Sequence, residues 1–301
     1  MENRTDVSND ISTRYNALKT PVAEQLLSSL PIRISQRFIK SYLAQNFNNL
    51  DEVVEYFVQH SEITRIVKEN PSSALTFEYL YHRRPLFQPI DQYFLKCKAG
   101  YQIYKRLVAL RENLPRIIHG QLQSTRDKVL IDNIGSGPGH DMIDVVVEHP
   151  KLAQKVHVRN IDPDGNALEI GQKRTKELGL SGCFSFIDKK LEKTDPQDAD
   201  MILLIGILCP LQRPMCELVL QKLKEYCRPG GIIVFSTAQT RMGLGDPLTD
   251  FIMRFAGWHM DYKTDEDTED IARASGWEPL EQFFDEPLHY HCIQTARNRP
   301  Q

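Results

Sequence analysis

The chain has 301 residues, of which 41% are apolar and 26% are charged, and its formal net charge at pH 7 is -3. These proportions are typical of a soluble globular protein, and a small negative charge excludes the field that attracts a nucleic-acid backbone. The six cysteines show neither metal-clip nor redox spacing, so we expect reduced thiols and no bound metal.

The first part of the chain is predicted to be helical. Its first twelve residues are polar and contain no apolar signal core, which indicates a cytoplasmic protein. Helices are predicted to start at Thr20 and Ser35, and to cover 50–60, 61–70 and 90–114. No strand-like alternation interrupts them, so we expect 1–125 to form a lid, a substrate wall or the interface of a homodimer.

The part of the chain over 126–301 alternates between apolar strands and amphipathic helices. This alternation predicts an α/β protein with a parallel sheet and helices on both faces. The apolar run over 201–211 is too short to span a bilayer, so we expect no membrane partner. The predicted strands are 129–134, 156–161, 184–187, 201–206 and 231–237, and the helices between them are 139–149, 165–178 and 212–226.

The last part of the sequence predicts two helices and a closing hairpin. One helix is predicted within 246–258. The next begins at Thr264, which is followed three residues later by Asp267, and it ends at Gly276. Two apolar runs within 279–298, separated by Asp-Glu-Pro, then predict an antiparallel pair of strands.

Three glycines in the segment G-S-G-P-G mark the loop after the first predicted strand. Gly135, Gly137 and Gly139 stand at alternate positions directly before a predicted helix. A dinucleotide-binding loop has the pattern G-x-G-x-x-G, whose third glycine falls here on His140. The spacing therefore favours a loop that passes close under a ligand without binding a phosphate. The alternative is a tight turn that packing alone requires.

Polar residues follow the next strands at the sheet edge where open parallel sheets bind ligands. Asp162 ends the second strand and precedes Pro163, and a carboxylate there can accept both hydroxyls of a ribose. The alternative role for Asp162 is to cap the following helix, but Asp164 is better placed for that role. Asp188 ends the third strand, where it meets an adenine edge or forms a surface turn, and the buried fourth strand ends at Gly206.

Residues 128–295 resemble the class I S-adenosylmethionine-dependent methyltransferases. That family has a Rossmann-like seven-stranded sheet with an antiparallel last strand, and it converts S-adenosylmethionine to S-adenosylhomocysteine. The resemblance implies that the glycine loop binds the methionyl part, that Asp162 binds ribose, and that the loop after strand four lines the transfer site. The matching cofactor positions are Asn133, Gly135, Ser136, Gly137, Pro138, Gly139, Asp162, Pro163, Asp188, Lys189, Gly206 and Ile207.

Two positions depart from the family's pattern or leave its register open. The family usually carries an acidic residue two places before the first glycine, where this chain has Asn133. The acid next to it, Asp132, should point to the opposite face of the strand because side chains alternate. Near adenine, Lys189 or Lys190 takes the register if Asp188 does not.

The candidates for acceptor binding and proton transfer do not form a sequence motif. His140 and His259 are candidates for a general base, whereas the alternation of His289 and His291 in the final strand indicates structural roles. Some side chains are candidates for contact with the substrate, and for most of them the alternative is packing in the apolar core. Those candidates are Tyr101, Tyr104, Leu208 and Cys209.

We therefore predict a methyltransferase that transfers a methyl group in line to an oxygen, nitrogen or carbon atom of a small molecule. The motif NPPY, expected for methylation of base amino groups, is absent after the fourth strand, where GILCPL stands. The insert 239–262 should help the helical region enclose the substrate. Three alternatives remain: an aminobutyryl transferase resembling nicotianamine synthase, a dinucleotide-dependent oxidoreductase, and a non-catalytic module that binds the cofactor.

Overall fold

A computed structural model of the chain shows a seven-stranded sheet covered by helices. A helical region precedes the sheet in the sequence. The predicted helices that start at Thr20 and Ser35 lie outside the described residues, and the helix predicted within 246–258 lies partly outside them. The described residues are 45–69, 74–82, 89–123, 128–190, 193–246, 249–250, 253–254 and 258–299.

Helices of the first part of the chain pack against one another through a buried acid. They are α1 (Leu50–Gln59), α2 (Glu62–Glu69), α3 (Leu75–His82), α4 (Pro89–Lys96) and α5 (Lys98–Leu122). The carboxylate of Asp91 in α4 accepts hydrogen bonds from the Ser61 hydroxyl at 2.7 Å and from the Ile63 N–H at 3.1 Å. These bonds satisfy donors at the start of α2 and attach it to α4.

The helix predicted over 90–114 is in fact two helices, α4 and α5. Cys97 between them has an extended backbone with ψ 160°, and its Sγ accepts a hydrogen bond from the Gly100 N–H at 3.3 Å. A Cβ at Gly100 would lie 1.9 Å from the carbonyl oxygen of Phe94, so this turn requires glycine. The prediction missed the break because the apolar spacing continues across it.

The sheet has the strand order β3-β2-β1-β4-β5-β7-β6. Strand β7 runs antiparallel to both neighbours, and the other pairs are parallel, which confirms the predicted fold and its closing hairpin. The order reverses between β1 and β4, and sheets of this type bind ligands at such a point. The strands are β1 (Val129–Ile134), β2 (Val156–Asp162), β3 (Phe184–Asp188), β4 (Ala199–Leu204), β5 (Cys227–Ala238), β6 (Trp277–Phe284) and β7 (His291–Asn298).

Helices cover both faces of the sheet. They are α6 (His140–Glu148), α7 (Gly165–Glu177), α8 (Arg213–Leu223), α9 (Thr240–Gly245) and α10 (Asp265–Ala274), with a 3₁₀ turn at Pro150–Gln154. One apolar cluster joins the sheet to α5 and α6, and another joins it to α8 and α10. Strand β4 supplies both, because Met201 and Leu203 face the first cluster while Ile202 and Leu204 face the second.

Local signals place most of the element boundaries. Asp164 caps α7 and accepts a hydrogen bond from the Ala167 N–H, while Thr264 and Asp267 form a capping box at the start of α10. Strand β4 ends at Leu204 rather than at the predicted 206, because Gly206 adopts φ +83° and leaves the strand geometry. None of the helices in the described ranges is long and apolar enough to cross a membrane.

Candidate active site

A cavity of about 600 Å³ lies at the carboxyl ends of β1 and β4. The loop after β1 contributes Gly135, Ser136, Gly137 and Pro138 to its wall. Other parts of the wall come from α2, α3 and α5, from the turn after β4, from residues 258–260 and from β7. The cavity therefore joins the switch point of the sheet to the helical region.

The glycine loop is shaped by positive backbone angles and by close neighbours. The φ angles of Gly135, Gly137 and Gly139 are +63°, +51° and +75°. A Cβ at Gly135 would lie 2.2 Å from Ile207 Cδ1, and a Cβ at Gly137 would lie 2.5 Å from Ala74 Cβ. Since Ile207 and Ala74 also line the cavity, side chains in this loop would obstruct it.

Asp162 lines the same end of the cavity and supports the loop. Its Oδ2 accepts a hydrogen bond from the Gly137 N–H at 2.8 Å, and its Oδ1 accepts one from the Asp164 N–H at 2.8 Å. Burial raises the pKa of Asp162, although these two N–H groups oppose that effect. Each oxygen keeps a second lone pair, so the carboxylate can also accept a hydrogen bond from a ligand hydroxyl.

A second carboxylate lies beside the glycine loop, and the sequence analysis did not identify it. Asp141, in the first turn of α6, lines the cavity and accepts a hydrogen bond from Asn133 Nδ2 at 2.9 Å. Asp132 faces away and pairs with Arg159 at 2.6 Å, as the alternation of the strand predicts. Burial raises the pKa of Asp141, although hydrogen bonds from the Met142 N–H and Asn133 oppose that effect. Asp141 thus supplies a second carboxyl group near the place where this chain has Asn133. Its signal was its position directly after the loop.

The other predicted cofactor positions divide into two groups. Gly206 and Ile207 line the cavity, beyond the end of β4. Pro163, Asp188 and Lys189 are exposed and are not part of its wall. The contact of Asp188 or Lys189 with adenine therefore stays a prediction.

On α5 the cavity is lined by different residues from the two tyrosines predicted to contact substrate. Tyr101 is exposed and packs near Tyr104, and neither lines the cavity, whereas Ile103 and Arg106 do. The reason is geometric, because positions two apart on a helix point in nearly opposite directions, about 200° apart. The three-to-four spacing of apolar and aromatic residues did not by itself show which face of α5 lines the cavity.

The two residues predicted after Ile207 also separate. Leu208 is fully buried in the cluster shared with α8 and does not line the cavity. Cys209 lines the cavity but is buried, and burial raises the pKa of its thiol. Cys209 is thus a neutral apolar part of the wall rather than a reactive thiolate.

Aromatic side chains form the wall opposite the sheet. Phe77 packs edge-on against Trp258, with ring centroids 5.7 Å apart, and lies 5.5 Å from the ring of Tyr81. Arg106 lies 5.7 Å from the Phe77 ring centroid and donates a hydrogen bond to the Tyr81 hydroxyl at 2.7 Å. This wall suits an apolar or planar molecule with a negative or polar group near the guanidinium.

Three histidines line the cavity in different states. His140 is buried, and both of its ring nitrogens are engaged, because Arg174 donates to Nδ1 at 2.6 Å and Nε2 contacts Glu78. His259 is exposed at the rim. His291, for which the sequence indicated a structural role, also faces the cavity.

Comparisons with known proteins agree with this arrangement. A protein family described as "Methyltransferase domain" matches residues 124–277, which is just over half of the chain. No curated protein sequence matches the chain.

Solved structures resemble the whole chain or most of it. A protein from Bordetella parapertussis described as a possible exported protein has a TM-score of 0.66 at 14% identity, covering 98% of this chain and 97% of that one. Magnesium protoporphyrin IX methyltransferase from Synechocystis PCC 6803, with bound S-adenosylhomocysteine, has a TM-score of 0.56 at 14% identity, covering 79% and 100%. The pyocyanin biosynthetic protein PhzM has a TM-score of 0.54 at 16% identity, covering 98% and 74%. At these identities the likeness concerns the fold.

The residues around the cavity are compatible with S-adenosylmethionine. The loop leaves its backbone bare where Gly135 and Gly137 pass the cavity, and Asp162 offers only acceptor atoms there. Asp141 adds a carboxyl group that can accept a hydrogen bond from an ammonium group. With the matching family over 124–277 and the sheet order described above, the chain belongs to the class I S-adenosylmethionine-dependent methyltransferases.

Proposed function

We propose that this methyltransferase acts on a small-molecule acceptor that binds in the same cavity as the cofactor. The observation that carries the proposal is the continuity of one cavity from Asp162 and the glycine loop to the aromatic wall around Phe77. Its volume of about 600 Å³ falls within the range of about 300–1,000 Å³ that is usual for small-molecule sites.

In this proposal the cofactor binds through a few protein groups at one end of the cavity. Asp162 accepts hydrogen bonds from the ribose hydroxyls, the backbone of Gly135 and Gly137 contacts the methionyl part, and Asp141 pairs with its ammonium group. Asp188 stands in register with Asp162 on the next strand, which supports a place near adenine. When bound, the cofactor supplies an electrophilic methyl group on a sulfonium. Holding the acceptor in line with that methyl group can lower the activation free energy by roughly 7–11 kcal/mol.

The helical region, 1–125, provides the acceptor wall in this proposal. Its helices α2, α3 and α5 bring Val67, Phe77 and Arg106 to the cavity, and Trp258 from the insert 239–262 completes the aromatic part. The contact between Glu78 and His140 attaches α3 to the start of α6, directly after the glycine loop. These contacts support a role as substrate wall, and the homodimer stays a prediction.

Isothermal titration calorimetry and product analysis test the proposal. We expect the full-length protein to bind S-adenosylhomocysteine more tightly than a nicotinamide dinucleotide. With S-adenosylmethionine and a panel of small alcohols, phenols, amines and carbon acids, we expect S-adenosylhomocysteine and a methylated product by mass spectrometry. Release of methylthioadenosine would instead identify an aminobutyryl transferase. Binding without turnover of any acceptor would favour a non-catalytic module.

A further inference from the structure

His291 and Asp285 form a buried pair at the edge of the cavity. His291 begins β7, and its Nδ1 lies 2.9 Å from Asp285 Oδ2. The backbone N–H of His291 donates to the other carboxylate oxygen at 2.7 Å. Because Asp285 is fully buried and accepts both bonds, it holds the imidazole ring in one orientation.

This pair places the ring proton on Nδ1. A carboxylate only accepts hydrogen bonds, so the nitrogen that faces Asp285 must be the donor, and Nε2 of the neutral ring carries the lone pair. Among the described residues, none forms a hydrogen bond with Nε2, and His291 is part of the cavity wall. The lone pair is therefore available to a ligand.

His291 differs in this respect from the other histidines near the site. Both ring nitrogens of His140 are engaged, by Arg174 and Glu78. His259 is exposed at the rim, where no carboxylate of the described residues forms an ion pair with it. His291 alone of these three combines a positioned ring with an available nitrogen.

The surroundings of His291 favour its neutral form. Burial has the largest effect and lowers its pKa, and the positive charge of Arg106 on α5 also lowers it, while Asp285 raises it. The net direction is downward, so His291 is unprotonated at neutral pH. Gln102 of α5 also donates to the backbone carbonyl of Asp285 at 2.8 Å, which anchors this turn to the helix.

Arg106 brings a buried positive charge to the same wall. It donates to the Tyr81 hydroxyl. Among the described residues its Nε has no hydrogen-bond partner and no carboxylate forms an ion pair with it. Burial lowers the pKa of this guanidinium, whereas the nearby charge of Asp285 raises it. A buried guanidinium is unfavourable unless it is paired. A negative charge in the cavity would satisfy it. Gly206, just beyond the end of β4, leaves space beside it, since a Cβ there would lie 3.5 Å from Nη1.

We propose that the acceptor is a small alcohol or phenol and that His291 is the general base for its methylation. Asp285 is the positioning residue, and Arg106 stabilises the negative charge that develops on the acceptor oxygen. This inference rests on the proposed methyl transfer and deepens it by naming the acceptor atom.

The reaction balances with these groups alone. Nε2 of His291 takes the proton as the O–H bond of the acceptor breaks. The acceptor oxygen forms a bond to the methyl carbon while the carbon–sulfur bond breaks, and that electron pair stays on sulfur. The imidazolium then returns its proton to water, so His291 is unchanged after one turnover.

Nitrogen-15 NMR of histidine-labelled full-length protein tests the pair without relying on activity. With S-adenosylhomocysteine added, we expect the signal that disappears in His291→Gln to show the Nδ1–H tautomer and to titrate below about pH 6.5. Asp285→Asn should shift that tautomer or its titration. An Nε2–H tautomer in the wild type, or no change in Asp285→Asn, would overturn the role of the pair.

Methylation assays with phenol, catechol, aniline and thiophenol test the acceptor class. For the hydroxyl compounds we expect His291→Gln to lower kcat/KM by about 10²–10⁴-fold, with unchanged affinity for S-adenosylhomocysteine as evidence of an intact fold. His289→Gln is the matched control, because His289 pairs with Glu286 outside the cavity. Full activity of His291→Gln, or wild-type methylation of aniline or thiophenol alone, would overturn the inference.

Failure of the proposed function would look different. A wild type that binds S-adenosylhomocysteine but methylates none of these compounds counts against methyl transfer to small molecules, and the NMR result then decides on the pair alone.

The source of the anion at Arg106 is tested with Arg106→Gln and two ligands. We expect slower methylation of phenol with unchanged affinity for S-adenosylhomocysteine. If that affinity falls while the affinity for methylthioadenosine, which lacks the amino-acid carboxylate, does not change, Arg106 binds the cofactor instead. That outcome would overturn its assignment to the acceptor oxygen.

Discussion

The two ends of the cavity are built in different ways. At the cofactor end, Gly135 and Gly137 follow β1 and Asp162 ends β2, its parallel neighbour, and together they present backbone and one carboxylate. At the acceptor end, Phe77 and Arg106 come from separate helices, and other wall residues come from 258–260 and β7. The first end consists of the adjacent ends of two paired strands, and the second is an assembly of side chains from separate helices and loops.

Because of this difference, substitutions at the two ends should have different effects on binding and turnover. The cofactor end depends on backbone conformation, so a small change there should reduce binding of any cofactor analogue. The acceptor end depends on side-chain shape and charge, so changes there should alter the choice and turnover of acceptor while cofactor affinity stays constant. Substitutions at each end and a change of pH test that separation.

Substitution of Asp162 by alanine should affect the cofactor end most. The loss of hydrogen bonds to a carboxylate costs about 1.5–3 kcal/mol, so we expect affinity for S-adenosylhomocysteine to fall about 10- to 150-fold by calorimetry. Asp195→Ala is the control, because Asp195 is also an aspartate but is exposed and outside the cavity wall. Equal losses in the two variants would contradict the assignment of ribose to Asp162.

Substitution of Gly137 by alanine should separate close packing from backbone strain. Gly137 and Gly179 both have positive φ angles, but only at Gly137 would a Cβ meet another atom, Ala74 Cβ at 2.5 Å. Each alanine should lower the free energy of unfolding by about 1–2 kcal/mol through the left-handed conformation. Gly137→Ala should lose more in urea unfolding and should also weaken S-adenosylhomocysteine binding, while Gly179→Ala should keep full affinity.

Substitution of Phe77 by leucine should affect the acceptor end alone. Removing its packing with Trp258 and Tyr81 should cost about 0.5–1.5 kcal/mol, which corresponds to a roughly two- to twelvefold rise in KM for the acceptor. Affinity for S-adenosylhomocysteine should stay constant in calorimetry. A parallel loss of cofactor affinity would show that the two ends are not separable.

Acid should weaken cofactor binding through Asp162, with a smaller effect than these three substitutions. The bound state requires the carboxylate as acceptor, so affinity is full above the pKa of Asp162 and falls as pH falls through it. Burial raises that pKa, which moves the loss to a higher pH than for an exposed aspartate at about 3.9. We expect calorimetry at falling pH to show this decline in the wild type at a higher pH than for an exposed aspartate. The decline should be weaker in Asp162→Asn, in which Asp141 is still present.

Much of the cofactor end was accessible from the sequence. The alternation along β1 correctly placed Asp132 on the opposite face from Asn133, and the caps at Asp164 and Thr264 lie where the patterns predict. The missing acid of the family's pattern was harder, because Asp141 reaches the cavity from the next helix rather than from the strand. Local patterns describe one element at a time, so they do not reveal such a replacement.

Patterns within the sequence were enough to predict which segments form strands and helices and where the glycine loop lies. Periodicity, capping and glycine conformation act over a few neighbouring residues, so short stretches of sequence contain them. Only the tertiary structure decided the acceptor wall. It selected Ile103 and Arg106 rather than Tyr101 and Tyr104 by the face of α5 that packs on the sheet. It also brought His291 to the cavity, through contacts between parts of the chain that are far apart in sequence. Such contacts follow from how the helices and strands pack together, which no short stretch of sequence contains.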